Sequence, residues 1–297
     1  MACPAELLLT ELTDWVEAGA LRPFDLSLTR FIHRRAPELD PAVLLAIALT
    51  SARNGHGHVC LDLTQALSHP DSLLARLRDD RDPHFVIRQS LRRQLAPLTP
   101  TAWVERLAAS AAVTRAQQAH TDTAPLVLDR REDRSLLYLR RYWQYEQVIL
   151  QHIHQRLTDP PALDETHLSA ALDTLFPDSG IDFDWQKLAC ALATRRRFFI
   201  LTGGPGTGKT TTVVRLLALL QRLAVAAGDP PPRMELAAPT GKAAARLNES
   251  IRGQIDSLPG TPADNAVLPR QVKTLHRLLG PRPDSRRFRH HAGEPLP

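Results

Sequence analysis

One stretch near residue 200 has the residue types and the spacing of an anion-binding loop. It reads Gly203-Gly-Pro-Gly-Thr-Gly-Lys-Thr210 and fits the pattern G-x-x-x-x-G-K-[ST]. Its glycines permit backbone angles that turn successive N–H groups toward one point, and the helix predicted after it adds partial positive charge. Lys209 would reach the β- and γ-phosphates of a nucleoside triphosphate, and the Thr210 hydroxyl would coordinate Mg²⁺. The sequence therefore predicts a nucleotide site here, in preference to a glycine-rich turn that binds nothing.

A glutamine precedes this loop in the segment Trp185-Gln-Lys187. The amide of Gln186 could hydrogen-bond an adenine in both directions, because it carries a donor and an acceptor. The same residues also fit an ordinary polar helix start after Asp184. Spacing alone leaves both interpretations open.

Two later segments have residue types that suit the phosphates of a nucleic acid. The stretch Ala238-Pro-Thr-Gly-Lys242 offers a hydroxyl, a glycine N–H and a lysine where a strand passes into a helix. The alternative is a strand-to-helix turn with a solvated lysine. Lys273-Thr-Leu-His-Arg277 has a similar polar content and gives a weaker signal.

The elements that would position these residues alternate between strand and helix. Residues 198–201 form a short apolar run typical of a buried parallel strand, and Met234–Ala238 predicts a second strand. Helices are expected over about Lys209–Ala224 and Lys242–Ile255. A βαβα order builds a parallel sheet covered by helices, so we expect an α/β domain.

The part of the chain before this domain reads as mostly helical. Prolines divide residues 1–110 into short helices, and His58–Leu63 fits a short extended piece. Polar residues and a proline at 119–127 suggest a boundary, after which a strong helix is expected over about residues 134–157. We therefore predict a helical module over residues 1–118 and a P-loop domain over residues 119–297.

Composition excludes several classes of protein. The chain has 297 residues, of which 43% are hydrophobic and 23% charged, a balance typical of a folded globular protein. Its apolar runs are shorter than the roughly 18 residues of a membrane span, and an acidic N-terminus argues against export. Three scattered cysteines suit a reducing compartment, so we expect a cytoplasmic protein without a membrane partner.

Charge and lysine usage both point to the C-terminal part. The net charge of +5 divides into −4 over residues 1–180 and +9 over residues 181–297, so a phosphate-bearing partner should meet the latter. Of the 37 basic residues only four are lysines, and all lie in that part: Lys187, Lys209, Lys242 and Lys273. A compact ammonium on a flexible stem is not interchangeable with arginine, so these positions mark candidate sites.

Taken in order, four motifs resemble one family. They are Asp184-Trp-Gln-Lys187, Leu201–Thr212, Ala238–Leu247 and Lys273-Thr-Leu-His-Arg-Leu-Leu-Gly280, and the stretch Gly55–Leu63 resembles the N-terminal module of the same proteins. The chain is similar in this way to the RecD family, the alpha subunits of exodeoxyribonuclease V in the bacterial RecBCD complex. The resemblance implies a RecA-like domain of a superfamily 1 helicase that moves 5′ to 3′ along single-stranded DNA with ATP and Mg²⁺.

The resemblance also implies roles for individual residues. Gln186 would read adenine, the loop would hold the triphosphate, and two later segments would contact DNA. The nucleotide-binding set is Gln186, Gly203, Gly204, Pro205, Gly206, Thr207, Gly208, Lys209, Thr210 and Thr211, with Lys209 and Thr210 as the catalytic residues and Thr210 as the Mg²⁺ ligand. The DNA-binding set is Pro239, Thr240, Gly241, Lys242, Thr274 and His276. RecB and RecC are the implied protein partners, and the N-terminal module would dock on RecC.

One departure from the family pattern shapes the functional hypotheses. Helicase hydrolysis also needs a strand ending in Asp-Glu, and the sole Asp-Glu pair, Asp164-Glu165, lies upstream of the loop. We therefore expect a RecD-like chain that stops before its motor is complete and that turns over little ATP alone. The alternatives are a non-catalytic RecC-binding module with residual nucleotide binding, and an unrelated P-loop kinase or ATPase.

Overall fold

The computed structural model describes residues 3–36, 39–74, 83–177, 183–259, 267–285 and 287–296, and it forms two compact units. The first unit is Met1–Gln151 and the second is His152–Pro297. The structure thus divides the chain later than the predicted boundary at residue 118. The reason is that strands at residues 126–139 pair with strands of the first unit.

Proline residues set the helix starts of the first unit. Five of its helices begin at a proline, where the missing N–H is not needed for an intrahelical hydrogen bond. The helices are α1 (Pro4–Glu17), α2 (Pro23–Arg35), α3 (Pro41–Gly55), α4 (Leu63–Ser68), α5 (Pro83–Leu95), α6 (Pro100–Ala109) and α7 (Arg140–Thr158), the last of which crosses into the second unit.

A four-stranded sheet completes the first unit. Its strands are β1 (Cys60–Asp62), β2 (Val113–Arg115), β3 (Leu126–Arg130) and β4 (Ser135–Leu139), in the order β1-β4-β3-β2. The β2–β3 pair is parallel and the other two pairs are antiparallel. The extended piece expected near residue 60 is confirmed as β1. The helix expected from residue 134 instead starts at Arg140, because residues 135–139 are drawn into the sheet between β1 and β3.

The core of the first unit is built around α3. Eleven successive residues of this helix, Ala42–Ala52, are buried. Trp15 and Trp103 are also fully buried in this unit, and the Trp103 indole N–H donates to the Ala42 carbonyl at 3.0 Å. The indole N–H therefore keeps a hydrogen-bond partner although it is removed from water.

In the described part of the second unit, two paired strands lie among five helices. The strands pair in parallel, with Leu236 opposite Val272 and Ala238 opposite Thr274. Its elements are α8 (Glu165–Leu175), α9 (Trp185–Thr194), α10 (Lys209–Ala226), β5 (Leu236–Ala238), α11 (Gly241–Asp256), β6 (Val272–Thr274) and α12 (Leu275–Leu279). The helices expected at 209–224 and 242–255 are confirmed as α10 and α11, and the strand expected at 234–238 as β5.

The strand expected at residues 198–201 does not form. Within the described part of the chain no strand pairs with this segment, and Phe199 and Ile200 are 38% and 68% exposed. A strand is held by hydrogen bonds to a neighbouring strand, so an apolar run without a paired neighbour remains irregular.

The predicted fold class is confirmed. A mostly helical N-terminal unit precedes an α/β unit with parallel strands. In the described ranges, no helix combines the length and apolar character needed to cross a bilayer.

Candidate functional site

The glycine-rich loop leads directly into the first turn of α10. Gly206 and Gly208 have φ angles of +77° and +78°, a left-handed conformation that glycine adopts without a steric penalty. Gly208 is the N-cap of α10, an 18-residue helix whose first N–H groups have no intrahelical partner. These donors and the helix dipole make the loop a binding site for a negatively charged group.

The ammonium group of Lys209 lies within this loop. Its Nζ donates to the carbonyl oxygens of Gly203 at 2.6 Å and Gly204 at 2.5 Å. The loop is further braced by Thr207, whose hydroxyl donates to the Gly204 carbonyl at 2.9 Å. Thr210 and Thr211 follow on the first turn of α10, where both are half-buried. The positive charge, the free N–H groups and the Thr210 hydroxyl are therefore concentrated at one end of one helix.

Two of the loop glycines are needed because side chains approach them closely. A Cβ atom at Gly203 would lie 2.7 Å from the Thr207 hydroxyl oxygen. A Cβ atom at Gly208 would lie 2.4 Å from Nε2 of Gln186, and the left-handed backbone there already disfavours other residues. Gln186 is thus packed against the loop, although 22 residues separate the two positions in the sequence.

Gln186 lies in the first turn of α9, and this turn is capped by Asp184. The Asp184 carboxylate accepts hydrogen bonds from the backbone N–H groups of Gln186 at 2.8 Å and Lys187 at 3.0 Å. Gln186 is therefore part of a polar helix start, and its side chain also lies against the glycine-rich loop. The two interpretations open from the sequence are compatible, because the backbone of Gln186 belongs to the helix start while its side-chain amide lies beside Gly208 of the loop.

The two segments predicted to contact DNA meet at one edge of the β5–β6 pair. Ala238 and Thr274, the last residues of their strands, are opposite each other. Thr240 caps α11 by accepting from the Ala243 N–H at 3.2 Å, and Thr274 caps α12 by accepting from the Arg277 N–H at 3.3 Å. Two helix N-termini thus follow neighbouring strand ends, the edge at which open α/β sheets bind their ligands.

The other predicted residues of these segments lie on the surface. Pro239, Gly241 and Lys242 are exposed, and Gly241 begins α11. The His276 ring packs edge-to-face against Phe288 with the ring centroids 5.4 Å apart. The assignment of these residues to DNA stays a prediction.

The four lysines fall into two groups by their contacts. Lys187 pairs with Asp173 at 2.7 Å, and Lys273 pairs with Glu235 at 2.8 Å. Lys209 contacts loop carbonyls, and Lys242 forms no ion pair with any residue that the structure describes. Of the three lysines in the motifs that suit phosphates, Lys209 and Lys242 therefore have no carboxylate partner among the described residues, whereas Lys273 is paired with Glu235.

Asp164 and Glu165 serve the start of α8. The Asp164 carboxylate accepts from the backbone N–H groups of His167 at 3.1 Å and Thr166 at 2.8 Å, and these hydrogen bonds lower its pKa. Glu165 forms an ion pair with Arg195. Both carboxylates thus have local structural contacts at the start of α8.

A glycine-rich loop at the N-terminus of a long helix, beside parallel strands, defines a nucleotide-binding domain of the P-loop class. Residues 186–297 match the family model of an AAA domain, and residues 17–138 match the model of the RecBCD enzyme subunit RecD, N-terminal domain. The chain belongs to the RecD family.

Individual relatives agree with the family models. The chain is 39% identical to the RecBCD enzyme subunit RecD of Mycolicibacterium smegmatis over 94% of its own length and 44% of the relative. It is 38% identical to the subunit of the same name in Mycobacterium tuberculosis over 95% of its own length and 42% of the relative. A shorter match covers 34% of the chain and 10% of the ATP-dependent RecD2 DNA helicase of Deinococcus radiodurans, at 41% identity. The chain spans less than half the length of the RecD subunits it matches.

Sequence reasoning missed one side chain that contacts the site. Arg215, on α10, donates from Nη1 to Oε1 of Gln186 at 3.4 Å and stacks on the Phe176 ring at 4.7 Å from its centroid. These three residues come from three different segments. A motif read along the chain cannot detect such a contact, and helical spacing shows only that Arg215 lies on α10.

Proposed function

We propose that this chain binds ATP with Mg²⁺ and contributes the nucleotide-binding part of a RecD-type alpha subunit of a RecBCD-type DNA helicase and exonuclease. The observation that carries the proposal is the arrangement of Lys209, Gly206 and Gly208 at the N-terminus of α10. An ammonium group, a nest of N–H donors and a helix dipole directed to one point are the features that a triphosphate requires.

Each residue of the loop has a distinct role in this proposal. The backbone from Gly203 to Gly208 cradles the phosphates, and Lys209 neutralises the β- and γ-phosphates. Thr210 supplies a hydroxyl to Mg²⁺, which when bound offsets phosphate charge. Gln186 lies against Gly208 and would read the adenine edge with its amide.

We assign the edge formed by the ends of β5 and β6 to single-stranded DNA. Thr240, Gly241 and Lys242 lie at the start of one helix there and Thr274 caps the other, so hydroxyl and N–H groups and an ammonium without an ion-pair partner among the described residues follow adjacent strand ends. The relatives are RecBCD enzyme subunits, which supports RecB and RecC as the protein partners. DNA translocation would then be a property of the assembled complex.

The nucleotide site can be tested by titrating the 297-residue chain with a fluorescent ATP analogue in the presence of Mg²⁺. Lys209→Ala should weaken binding about 10- to 100-fold, because it removes charge-assisted hydrogen bonds to phosphate. Lys273→Ala is the matched control, since that lysine pairs with Glu235 and should bind like the parent chain. Equal binding by the parent and the Lys209→Ala chain would refute the nucleotide site.

The DNA surface has its own test in the salt dependence of oligonucleotide binding. The slope of log K against log salt is negative, and each lost phosphate contact makes it shallower by about 0.7 for a single strand. Lys242→Ala should therefore reduce its magnitude by about that amount. Lys187→Ala is the control, because that lysine pairs with Asp173 on α8. An unchanged slope for Lys242→Ala would remove Lys242 from the DNA surface and leave the nucleotide proposal intact.

A further inference from the structure

We propose that Arg215 is a positioning residue that fixes the orientation of the Gln186 amide and so makes the site prefer adenine over guanine. The inference rests on the proposed function, since it concerns the base of a nucleotide bound at the same loop. It assigns to Arg215 a part in specificity that requires no contact between the arginine and the nucleotide.

The guanidinium group of Arg215 is held in place by an aromatic ring. It lies over Phe176, with Cζ 4.7 Å from the ring centroid, and Phe176 is itself buried at the end of α8. Arg215 forms no ion pair with a carboxylate among the residues that the structure describes. Stacking on an aromatic ring restricts the guanidinium plane, so its N–H groups point in defined directions.

The contact with Gln186 distinguishes the two ends of the amide. Arginine carries only donors, so the end that it meets at 3.4 Å must be the acceptor, Oε1. The other end, Nε2, then lies toward Gly208, the last glycine of the loop. A glutamine amide can otherwise turn over by a half rotation that exchanges donor and acceptor with little change in shape.

This orientation matters because adenine and guanine differ in one group on the edge that an amide reads. Adenine presents the N6 amino donor beside the N7 acceptor, whereas guanine presents two acceptors, O6 and N7. An amide with fixed ends matches adenine, since Oε1 keeps a second lone pair for the N6 amino group after accepting from Arg215. An amide that is free to turn over must first be ordered to pair with both groups of adenine, so its preference for adenine over guanine falls.

The geometry also explains why the effect is separate from phosphate binding. Arg215 lies in the second turn of α10, and its side-chain contacts are to Gln186 and Phe176, not to the loop glycines. Its removal should therefore leave the phosphate cradle intact. The two properties of the site, affinity for the triphosphate and choice of base, can be measured independently.

The test compares the affinities of the 297-residue chain for fluorescent ATP and GTP analogues, with inorganic tripolyphosphate as a competitor that has no base. Arg215→Met keeps an apolar stem over Phe176 and removes the donors. We expect it to lower the ATP-to-GTP affinity ratio about 3- to 10-fold, the value of one hydrogen bond, with tripolyphosphate affinity unchanged. Gln186→Ala should lower the ratio at least as much, and the double variant no further.

Two further variants separate positioning from general damage. Arg215→Lys retains a donor and should recover part of the ratio. Arg222→Met removes an arginine from the same helix that donates to the Pro259 carbonyl, so it should keep the parent ratio. Recovery by lysine and a normal Arg222→Met chain would support a specific contact with Gln186.

The outcomes distinguish this inference from the proposed function. If Gln186→Ala lowers the ratio and Arg215→Met does not, the positioning role is refuted and the nucleotide site stands. If Arg215→Met weakens tripolyphosphate as much as ATP, the residue acts through the loop and the inference is also refuted. A parent chain that binds neither nucleotide nor tripolyphosphate would refute both proposals together.

Discussion

In the first unit, α3 is buried along eleven successive residues, whereas in the second unit α10 buries five of its eighteen and begins at an exposed loop. A helix buried on all sides can only support packing, because it leaves no surface for a ligand. A helix buried along one stripe keeps its N-terminus and its flanks available. The first unit is thus organised around a core, and the second around a helix end.

Charge separates the units in a similar way. Counted over the observed units, the first holds 18 basic and 18 acidic residues and the second holds 19 and 14. The acidic excess of −4 assigned from the sequence to residues 1–180 therefore lies entirely in residues 152–180, which belong to the second unit. The first unit thus has balanced charges, and its proposed docking on a partner gains no support from net charge.

The largest expected effect lies in the packing of the first unit. Trp103→Ala removes a fully buried indole and its hydrogen bond to the Ala42 carbonyl, so it should lower the free energy of unfolding by about 3–5 kcal/mol. Trp185→Ala is the matched control, since that side chain is 73% exposed and should cost less than about 0.5 kcal/mol. Urea unfolding followed by circular dichroism measures both. Similar costs for the two variants would contradict the contrast between core and surface.

A pair of threonine substitutions examines the two apolar runs that look alike in sequence. Val127 in β3 is fully buried, and Val127→Thr places a hydroxyl there at a cost of about 1–3 kcal/mol. Ile200, in the segment expected to be a buried strand, is 68% exposed, and Ile200→Thr should cost less than about 0.5 kcal/mol. Denaturant midpoints of the two variants provide the measurement. A large cost at Ile200 would mean that this segment is buried in solution.

These two runs also show what local sequence can predict. Residues 126–128 and 198–201 are equally apolar, and only the first finds partners, β2 and β4, within the described chain. Hydrophobicity indicates that a segment favours burial, and pairing depends on strands elsewhere. The sequence likewise predicts residues 135–139 as the start of a helix, and they form the inner strand β4 because β1 and β3 are available to pair with them.

The candidate site was more predictable than the sheet, for a physical reason. The loop at 203–210 needs glycine at left-handed positions and a lysine at a helix start, so the residues that define it are consecutive in the sequence. The contacts that lie across the fold were not predictable in this way. Arg215 contacts Gln186 because α9 and α10 pack together. Ala238, two residues before Thr240, lies opposite Thr274 because β5 and β6 pair in that register.

The smallest expected effect concerns a thiol between α9 and the loop-bearing helix. Cys190 is fully buried, its Sγ lies 3.5 Å from the Thr212 carbonyl, and burial raises its pKa to about 12. In a chain with Cys3→Ser and Cys60→Ser, Cys190 should therefore react with iodoacetamide much more slowly at pH 8 than Cys3, which is exposed, reacts in the corresponding single-thiol chain.

The raised pKa of this thiol also predicts how the stability of the folded chain changes with pH. A raised pKa means that the folded chain holds the thiol proton more tightly than the unfolded chain. The resulting stabilisation is complete below pH 9, the ordinary pKa of the thiol, and declines as the pH rises toward 12, so ionisation of Cys190 does not lower stability at pH 8. Rapid labelling at pH 8 would show instead that α9 separates readily from α10. Such separation would carry Gln186 away from Gly208.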